Sequence, residues 1–285
     1  MVNDELPTIH FILPGGGVKG AFQAGFIYHL VSKYNNYYKL YQVDCTSVGS
    51  LNGLGLICDN LIISELKEIW LTINNIFDVF SEISNIPIIN KFLMLYQSVN
   101  NKALMNSIPL KKKINKFLNY IDSDFEKYNC TVLNIYKGDT EYINGLNENI
   151  DKFILASASP WILSPPVEIN NNEYSDAALL DLYPLKYLKN SKATYKIILG
   201  FNKNQFLKNG YSGDNIYTYL NRLLDITTDS NRKEQYNKII NDKDVILIEN
   251  ISSIEPFDFN NDNISNLFRL GIECAEEFAL NYLLN

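Results

Sequence analysis

Short apolar runs alternate with helical patterns along most of the chain. Five runs predict β-strands, at residues 9–13, 42–45, 130–136, 195–201 and 245–248. Apolar positions with helical spacing lie between and after them, at 20–32, 51–59, 64–72, 110–119 and 264–284. Strands that alternate with helices form parallel βαβ units, in which helices cover both faces of the sheet. The pattern therefore predicts an α/β fold with a mostly parallel central sheet.

The stretch 73–127 interrupts this alternation, because it contains helical segments but no clear strand. We expect it to form a helical cap beside the sheet, within a single domain that spans residues 1–285. The cap includes an apolar run at 86–96. Two roles are open for this run, a lid or lipid-facing surface and core packing of the cap, and we favour core packing.

The composition is that of a folded globular protein, with 46% hydrophobic and 13% aromatic residues in a chain of 285. The formal net charge of −7 argues against nucleic acid as a partner. One basic cluster follows Pro109, and a solvated helix face is favoured for it over contact with anionic lipid headgroups. The members of this cluster are Lys111, Lys112, Lys113 and Lys116.

No apolar run approaches the ~20 residues that span a bilayer, and the acidic N-terminus lacks the layout of a signal peptide. We expect a soluble protein that is cytoplasmic or delivered without a classical signal peptide, and that meets membranes only at their periphery. The cysteines have no CxxC spacing, which favours reduced thiols over disulfides or a zinc site. They are Cys45, Cys58, Cys130 and Cys274.

A glycine-rich loop separates the first predicted strand from the first predicted helix. Its spacing Gly15-x-Gly17-x-x-Gly20 fits the dinucleotide-binding fingerprint, in which backbone amides at a helix N-terminus hold a pyrophosphate. The same geometry suits the oxyanion of an acyl-transfer intermediate. Sites in open α/β sheets form at the C-terminal ends of strands, so the loop marks a site without choosing between the two.

The second predicted strand ends at a small-residue turn that contains Ser47. A dinucleotide-binding protein would use Asp44, 24 residues beyond Gly20, to bind a ribose. However, a strand, a small-residue turn with a central serine and a helix together form the layout of a nucleophile elbow. The sequence Ser47-x-Gly49 at such a turn, one βαβ unit after a glycine loop, favours a nucleophilic serine.

A nucleophilic serine needs a base, and the two histidines are poorly placed to supply it. His10 lies within the first strand, about 16 Å from its C-terminal end, and His29 lies about 15 Å along the following helix. Asp176 is the candidate base, because its small neighbours allow close approach to the glycine loop and burial would raise its pKa. Asp181 is instead expected at a helix N-terminus.

Three separated motifs resemble those of the patatin-like phospholipases, serine acyl hydrolases with a Ser–Asp dyad. Residues 15–20 resemble the oxyanion loop of that family, and residues 46–49 resemble its nucleophile elbow. Asp176, with Ala177 and Ala178, resembles its Asp-Gly-Gly/Ala motif. The connecting segments are similar too, so the likeness extends over nearly the whole chain.

The resemblance implies a three-layer α/β/α sandwich that hydrolyses acyl esters of phospholipids or related lipids, as a phospholipase A or lysophospholipase does. It makes Ser47 the nucleophile and Asp176 the proton acceptor, with no cofactor and no metal in the chemical step. Lys19 lies where the family has a basic residue near the site, which leaves open a lipid-phosphate contact or an exposed first-turn side chain. The candidate oxyanion-hole and substrate-binding residues are Gly15, Gly16, Gly17, Val18, Lys19 and Gly20.

Two positions depart from the family pattern. Cys45 replaces the first glycine of the elbow, and Ala177 replaces the first glycine of the acid motif. If the backbone at Ala177 requires a positive φ, alanine costs roughly 1 kcal/mol or more and would displace Asp176. A weak or inactive lipid-binding protein therefore stays open as one alternative and a dinucleotide-binding oxidoreductase as another, while the lipid acyl hydrolase is favoured.

Overall fold

The computed structural model describes residues 6–58, 63–81, 102–103, 105–119, 121, 124–161, 163–201, 216–250 and 254–284. The strands in these ranges are β1 (Thr8–Leu13), β2 (Lys39–Thr46), β3 (Tyr128–Asn134), β4 (Asp139–Asn144), β5 (Val167–Ile169), β6 (Asn172–Asp176), β7 (Tyr195–Phe201) and β8 (Val245–Asn250). The α-helices are α1 (Gly20–Tyr34), α2 (Val48–Gly53), α3 (Ile63–Leu71), α4 (Ile108–Leu118), α5 (Ile150–Ser157), α6 (Ile216–Ile240) and α7 (Asn261–Tyr282).

These strands form one sheet with the order β5-β6-β3-β2-β1-β7-β8, and β4 also pairs with β3. The strands β3, β2, β1, β7 and β8 run parallel to one another. Antiparallel pairs join β4 and β6 to β3, and β5 to β6. The predicted mostly parallel sheet is confirmed.

Two strands share one edge of β3 and approach each other from opposite directions. β2 runs parallel to the first half of β3, where Thr46 pairs with Thr131. β6 runs antiparallel to the second half, where Asp176 pairs with Val132. Because Thr131 and Val132 are consecutive, β2 and β6 end beside each other. The register of the sheet therefore places Ser47, the residue after β2, next to the end of β6.

Helices cover both faces of the sheet. Successive residues of a strand point to opposite faces, and residues on each face pack against helices. Phe11 and Leu13 of β1 belong to the larger hydrophobic core, which includes buried residues of α1 and α7. Ile12 belongs to a second core on the other face, together with Tyr236 of α6. The three layers of the predicted α/β/α sandwich are confirmed.

The sequence pattern fails to predict β4, β5, α5 and α6, and of β6 it marks only the strand-like pair Glu173-Tyr174. β4 has the sequence DTEYIN and is nowhere fully buried, so its hydrophobic alternation is weak. The sequence of α6 is largely polar, which also hides its amphipathic pattern. The helix expected at 51–59 begins earlier, at Val48, because α2 follows Ser47 directly.

The predicted cap at 73–127 is only partly covered by the structure. Its described residues include α4 and an isolated antiparallel bridge between Ser81 and Asn106. The apolar run at 86–96 lies outside the described residues, so the cap and the single-domain organisation stay predictions. Across the described ranges, no helix is both long and apolar enough to cross a membrane.

Candidate active site

Ser47 occupies the sharp turn between β2 and α2. Its φ of 56° and ψ of −128° lie in a region that non-glycine residues rarely adopt, as in a nucleophile elbow. The turn is held at both backbone groups: Ser47 N–H donates to Ser157 Oγ at 3.0 Å, and the Ser47 carbonyl accepts from Ser50 N–H at 2.9 Å. This geometry lifts the hydroxyl out of β2 to the wall of a cavity.

The Asp176 carboxylate lies directly against the Ser47 hydroxyl. Ser47 Oγ donates to Oδ2 at 2.5 Å, and Ala178 N–H donates to Oδ1 at 2.8 Å. Burial raises the pKa of Asp176 to about 6, although both hydrogen bonds and the charge of Arg232 lower it. A carboxyl group with this pKa is ionised at neutral pH and is still basic enough to take a proton.

Only small residues fit around this pair. A Cβ atom added to Gly15 would lie 2.8 Å from Ser47 Cβ and 3.1 Å from Ala178 Cβ. Ala177 is fully buried in the 3-10 helix Ala177–Leu179, and its φ is not positive. The backbone strain considered for Ala177 therefore does not arise.

The remaining elbow residues pack α2 against the sheet. Cys45 is fully buried, and its Sγ lies 2.4 Å from where a Cβ atom on Gly53 would be. Burial holds the pKa of the Cys45 thiol well above its usual range, so this thiol is unreactive. A Cβ atom on Gly49 would lie 2.1 Å from the Leu13 carbonyl oxygen, which explains the glycine two residues after Ser47.

The glycine loop has two backbone amides with no protein acceptor among the described residues, those of Gly16 and Gly17. Gly17 lines the same cavity as Ser47. Amides in this position can donate to an oxyanion that develops when the serine attacks. The other loop amides donate to backbone carbonyls, and they are those of Gly15, Val18, Lys19 and Gly20.

Gly17→Ala is expected to destabilise the loop severely. Gly17 has a φ of +57°, and an added Cβ atom would lie 2.1 Å from the Pro256 carbonyl oxygen. We expect the free energy of unfolding to fall by more than about 2 kcal/mol, from backbone strain and overpacking together. On the oxyanion-hole role that the family resemblance implies for Gly17, we expect kcat to fall about 10²-fold. Urea denaturation and ester hydrolysis measure the two effects.

Gly138→Ala is the matched control for Gly17→Ala. Gly138 also has a positive φ, of +69°, but an added Cβ atom would meet nothing within 4 Å. This variant isolates backbone strain, and we expect it to cost about 1 kcal/mol with no change in kcat. Equal losses of stability in the two variants would show that the contact with Pro256 is unimportant.

A largely apolar cavity opens beside Ser47 and Asp176. Helices α2, α3 and α4 and two phenylalanines before α7 contribute to its wall. Among the described residues of the wall, the charged ones are Asp176 and Lys113. A cavity of this kind suits a hydrocarbon chain. Representative apolar wall residues are Leu51, Trp70, Ile73, Phe80, Ile114 and Phe257.

His10 and Asp44 lie in the interior of the sheet, away from the loop. His10 Nε2 is 2.9 Å from Asp44 Oδ2, and Asp44 Oδ1 accepts hydrogen bonds from Gln42 and Asn129 at 2.8 Å each. Both carboxylate oxygens are therefore engaged, and the side chain is fully buried. The acidic ribose ligand that a dinucleotide site requires is thus not presented.

The structure contradicts the expectation for Asp181 and excludes one of the two open alternatives for Lys19. Asp181 is not at a helix N-terminus but follows a 3-10 helix, where it accepts hydrogen bonds from Tyr142 at 2.6 Å and Gln235 at 2.8 Å. Its carbonyl accepts from the Thr46 hydroxyl at 3.2 Å, so this segment ties the acid loop to β2. Lys19 is 4% exposed, which excludes a solvated first-turn side chain.

The structure adds two residues that sequence reasoning did not assign to the site. Ser157, at the end of α5, accepts the hydrogen bond from Ser47 N–H; it belongs to the small-residue run 156–159, which was a usable signal. Arg232, on α6, acts electrostatically on Asp176, and nothing in the local sequence marks it. Within the described ranges, no three His, Cys, Asp or Glu side chains are grouped to hold a metal.

Comparisons with known proteins concern the chain as a whole rather than the geometry of the site. Residues 11–189, more than half of the chain, match the family model described as Patatin-like phospholipase. Among solved structures, the chain is similar to VipD from Legionella pneumophila, with 12% sequence identity and a TM-score of 0.43. That match covers 98% of this chain and 67% of the VipD chain, and at this TM-score it supports no conclusion about the site. No curated protein sequence matches the chain.

Proposed function

Since the chain belongs to the patatin-like phospholipase family, we propose that it hydrolyses carboxylic esters of phospholipids or related acyl lipids through a Ser47–Asp176 dyad. The observation that carries the proposal is the 2.5 Å hydrogen bond from Ser47 Oγ to Asp176 Oδ2. It lies at the wall of an apolar cavity beside unengaged loop amides. These are the parts that serine-dependent acyl transfer needs.

The reaction follows from the directions of these bonds. Ser47 Oγ attacks the acyl carbonyl carbon while its proton passes to Asp176 Oδ2, and the carbonyl oxygen becomes an oxyanion that accepts from Gly16 and Gly17 N–H. The intermediate collapses as Asp176 returns the proton to the leaving alcohol, which leaves an ester on Ser47. Water then attacks that ester by the reverse sequence, with Asp176 again as base. The acyl chain occupies the apolar cavity.

The acid limb of the pH profile is set by Asp176. Burial raises its pKa to about 6, and only the ionised carboxylate accepts the Ser47 proton. We therefore expect kcat/KM to be constant above about pH 7 and to fall about tenfold per pH unit below about pH 6. Initial rates with a soluble short-chain ester between pH 4.5 and 8.5 measure the limb.

Arg232→Gln tests the electrostatic part of this profile. The charge of Arg232 lowers the pKa of Asp176, so its removal moves the acid limb to higher pH. Lys233→Gln is the control, because the exposed Lys233 side chain pairs with Asp229 at 2.6 Å. A limb that stays in place in Arg232→Gln, or moves equally in both variants, contradicts the assignment.

The direct test of function combines product release and active-site labelling. Wild-type protein is incubated with phosphatidylcholine or lysophosphatidylcholine, and free fatty acid is quantified; a parallel sample is treated with a fluorophosphonate probe. The proposal expects fatty acid release and covalent labelling on the peptide that contains Ser47. Lipid binding without release or labelling would favour an inactive lipid-binding protein, and NAD(H) binding would favour a dinucleotide-binding protein.

A further inference from the structure

Lys113 is a charged residue on the apolar face of α4. The buried residues of this helix are Leu110, Ile114 and Phe117. With position 113 they complete the i, i+3, i+4, i+7 spacing of one helix face. The position thus belongs to the stripe that faces the protein, and Lys113 is indeed part of the cavity wall that includes Ser47.

The other lysines of the cluster are arranged differently. Lys111 and Lys112 are exposed, and Lys116 forms an ion pair with Glu65, with 2.6 Å between Nζ and Oε2. They match the solvated helix face that the sequence predicts. Lys113 alone of the four contributes to the cavity wall, so the cluster is divided between two environments.

The ammonium group of Lys113 is partly desolvated, and among the described residues it has no close carboxylate. Burial lowers the pKa of Lys113, and the charge of Asp78 partly offsets this effect. Asp78 Oδ2, however, accepts hydrogen bonds from the backbone N–H groups of Asn74 and Asn75. Within the described part of the chain, no carboxylate oxygen lies within 4.0 Å of the Lys113 nitrogen. A cation at the wall of an apolar cavity is costly unless an anion pairs with it.

We propose that Lys113 recognises the headgroup phosphate of the lipid ester whose acyl chain enters this cavity. The inference rests on the esterase function proposed above and adds a preference among its substrates. The carboxylate formed by hydrolysis lies at Ser47 by the chemistry of the reaction, so an anion at Lys113 belongs to another part of the substrate. Phosphate is that part in a phospholipid, and lysine binds it as a compact point charge with three donors.

The test uses two esters that differ only in the phosphate, 1-palmitoylglycerol and 1-palmitoylglycerol 3-phosphate, below their critical micelle concentrations. We expect wild-type protein to prefer the phosphate ester in kcat/KM. Lys113→Met keeps the length of the side chain and removes the charge, and the preference should fall about tenfold or more, mainly through KM. Lys113→Arg should retain most of it, and Lys112→Met, on the exposed face, should retain all of it.

A preference that is unchanged in Lys113→Met, or lost equally in Lys112→Met, overturns the inference. Dissociation constants for the two esters, measured in a Ser47→Ala background, test this inference separately from the proposed function, because binding needs no hydrolysis. In that background, Lys113→Met should weaken the binding of the phosphate ester and not that of 1-palmitoylglycerol, even if wild-type protein hydrolyses neither ester. If Lys113→Met weakens only the binding of palmitate, the residue recognises a fatty-acid carboxylate and the headgroup assignment is wrong.

Discussion

Ser47→Ala is expected to lower kcat/KM for lipid ester hydrolysis by about 10⁴-fold or more, the loss typical of removing a catalytic serine. The reason is chemical, because no other hydroxyl among the described residues donates to Asp176. Fluorophosphonate labelling should disappear in the same variant. Fatty acid release and labelling in gel are the two measurements.

Ser175→Ala is the control for this change. Ser175 precedes Asp176 in β6, but its hydroxyl donates to the Ser159 carbonyl at 2.9 Å and not into the site. Its loss removes one buried hydrogen bond, worth about 1 kcal/mol of stability, and should leave labelling intact. Labelling that survives Ser47→Ala would mean that another nucleophile reacts and that the dyad assignment is wrong.

The separate parts of the site were predictable because each has a local cause. A glycine loop after a strand and Ser47 in a small-residue turn are marked by spacing alone, and the geometry agrees in detail: Ser47 adopts a φ of 56°, and Gly17 one of +57°. Their residue types follow from backbone constraints that involve few neighbours.

The meeting of Ser47 and Asp176 has no such local cause. It depends on β2 and β6 sharing one edge of β3, so that Thr46 and Asp176 pair with the consecutive residues Thr131 and Val132. Strand order and register are long-range properties, and β6 is only five residues long. The small residues beside Asp176 indicate that it packs closely against something, but not against what.

The helices show a similar limit. The apolar stripe of α4 predicts the helix correctly, but the sequence alone does not distinguish Lys113, within the stripe, from the other lysines of the basic cluster. Only the fold shows that Lys113 joins the cavity wall while Lys112 does not. Likewise the charge of Arg232 acts on Asp176 from α6, a largely polar helix that the periodicity does not predict.

Asp176→Asn is expected to reduce kcat by about 10³- to 10⁴-fold, as loss of a catalytic aspartate does in serine hydrolases. Asparagine has the same shape but cannot accept the Ser47 proton. Steady-state hydrolysis at pH 8 gives the loss. The control is Asp181→Asn, which changes a half-buried carboxyl whose pKa is also raised by burial. This variant should retain most of kcat, because the partners of Asp181 are Tyr142 and Gln235.

Asp176→Asn should leave the protein as stable as the wild type or more stable at pH 8. A loss of activity without a loss of stability would show that the substitution removes the chemistry and not the fold. The pKa of Asp176 is about 6 in the folded state against 3.8 as a reference, so the folded protein binds this proton more tightly than the unfolded chain. Ionisation of Asp176 therefore lowers the free energy of unfolding as the pH rises from about 4 to 6, and the loss is complete above that range. Asparagine removes this cost, and its advantage in Tm should shrink below about pH 4. A lower Tm for Asp176→Asn at pH 8 would show that the carboxylate stabilises the fold, contrary to the pKa raised by burial.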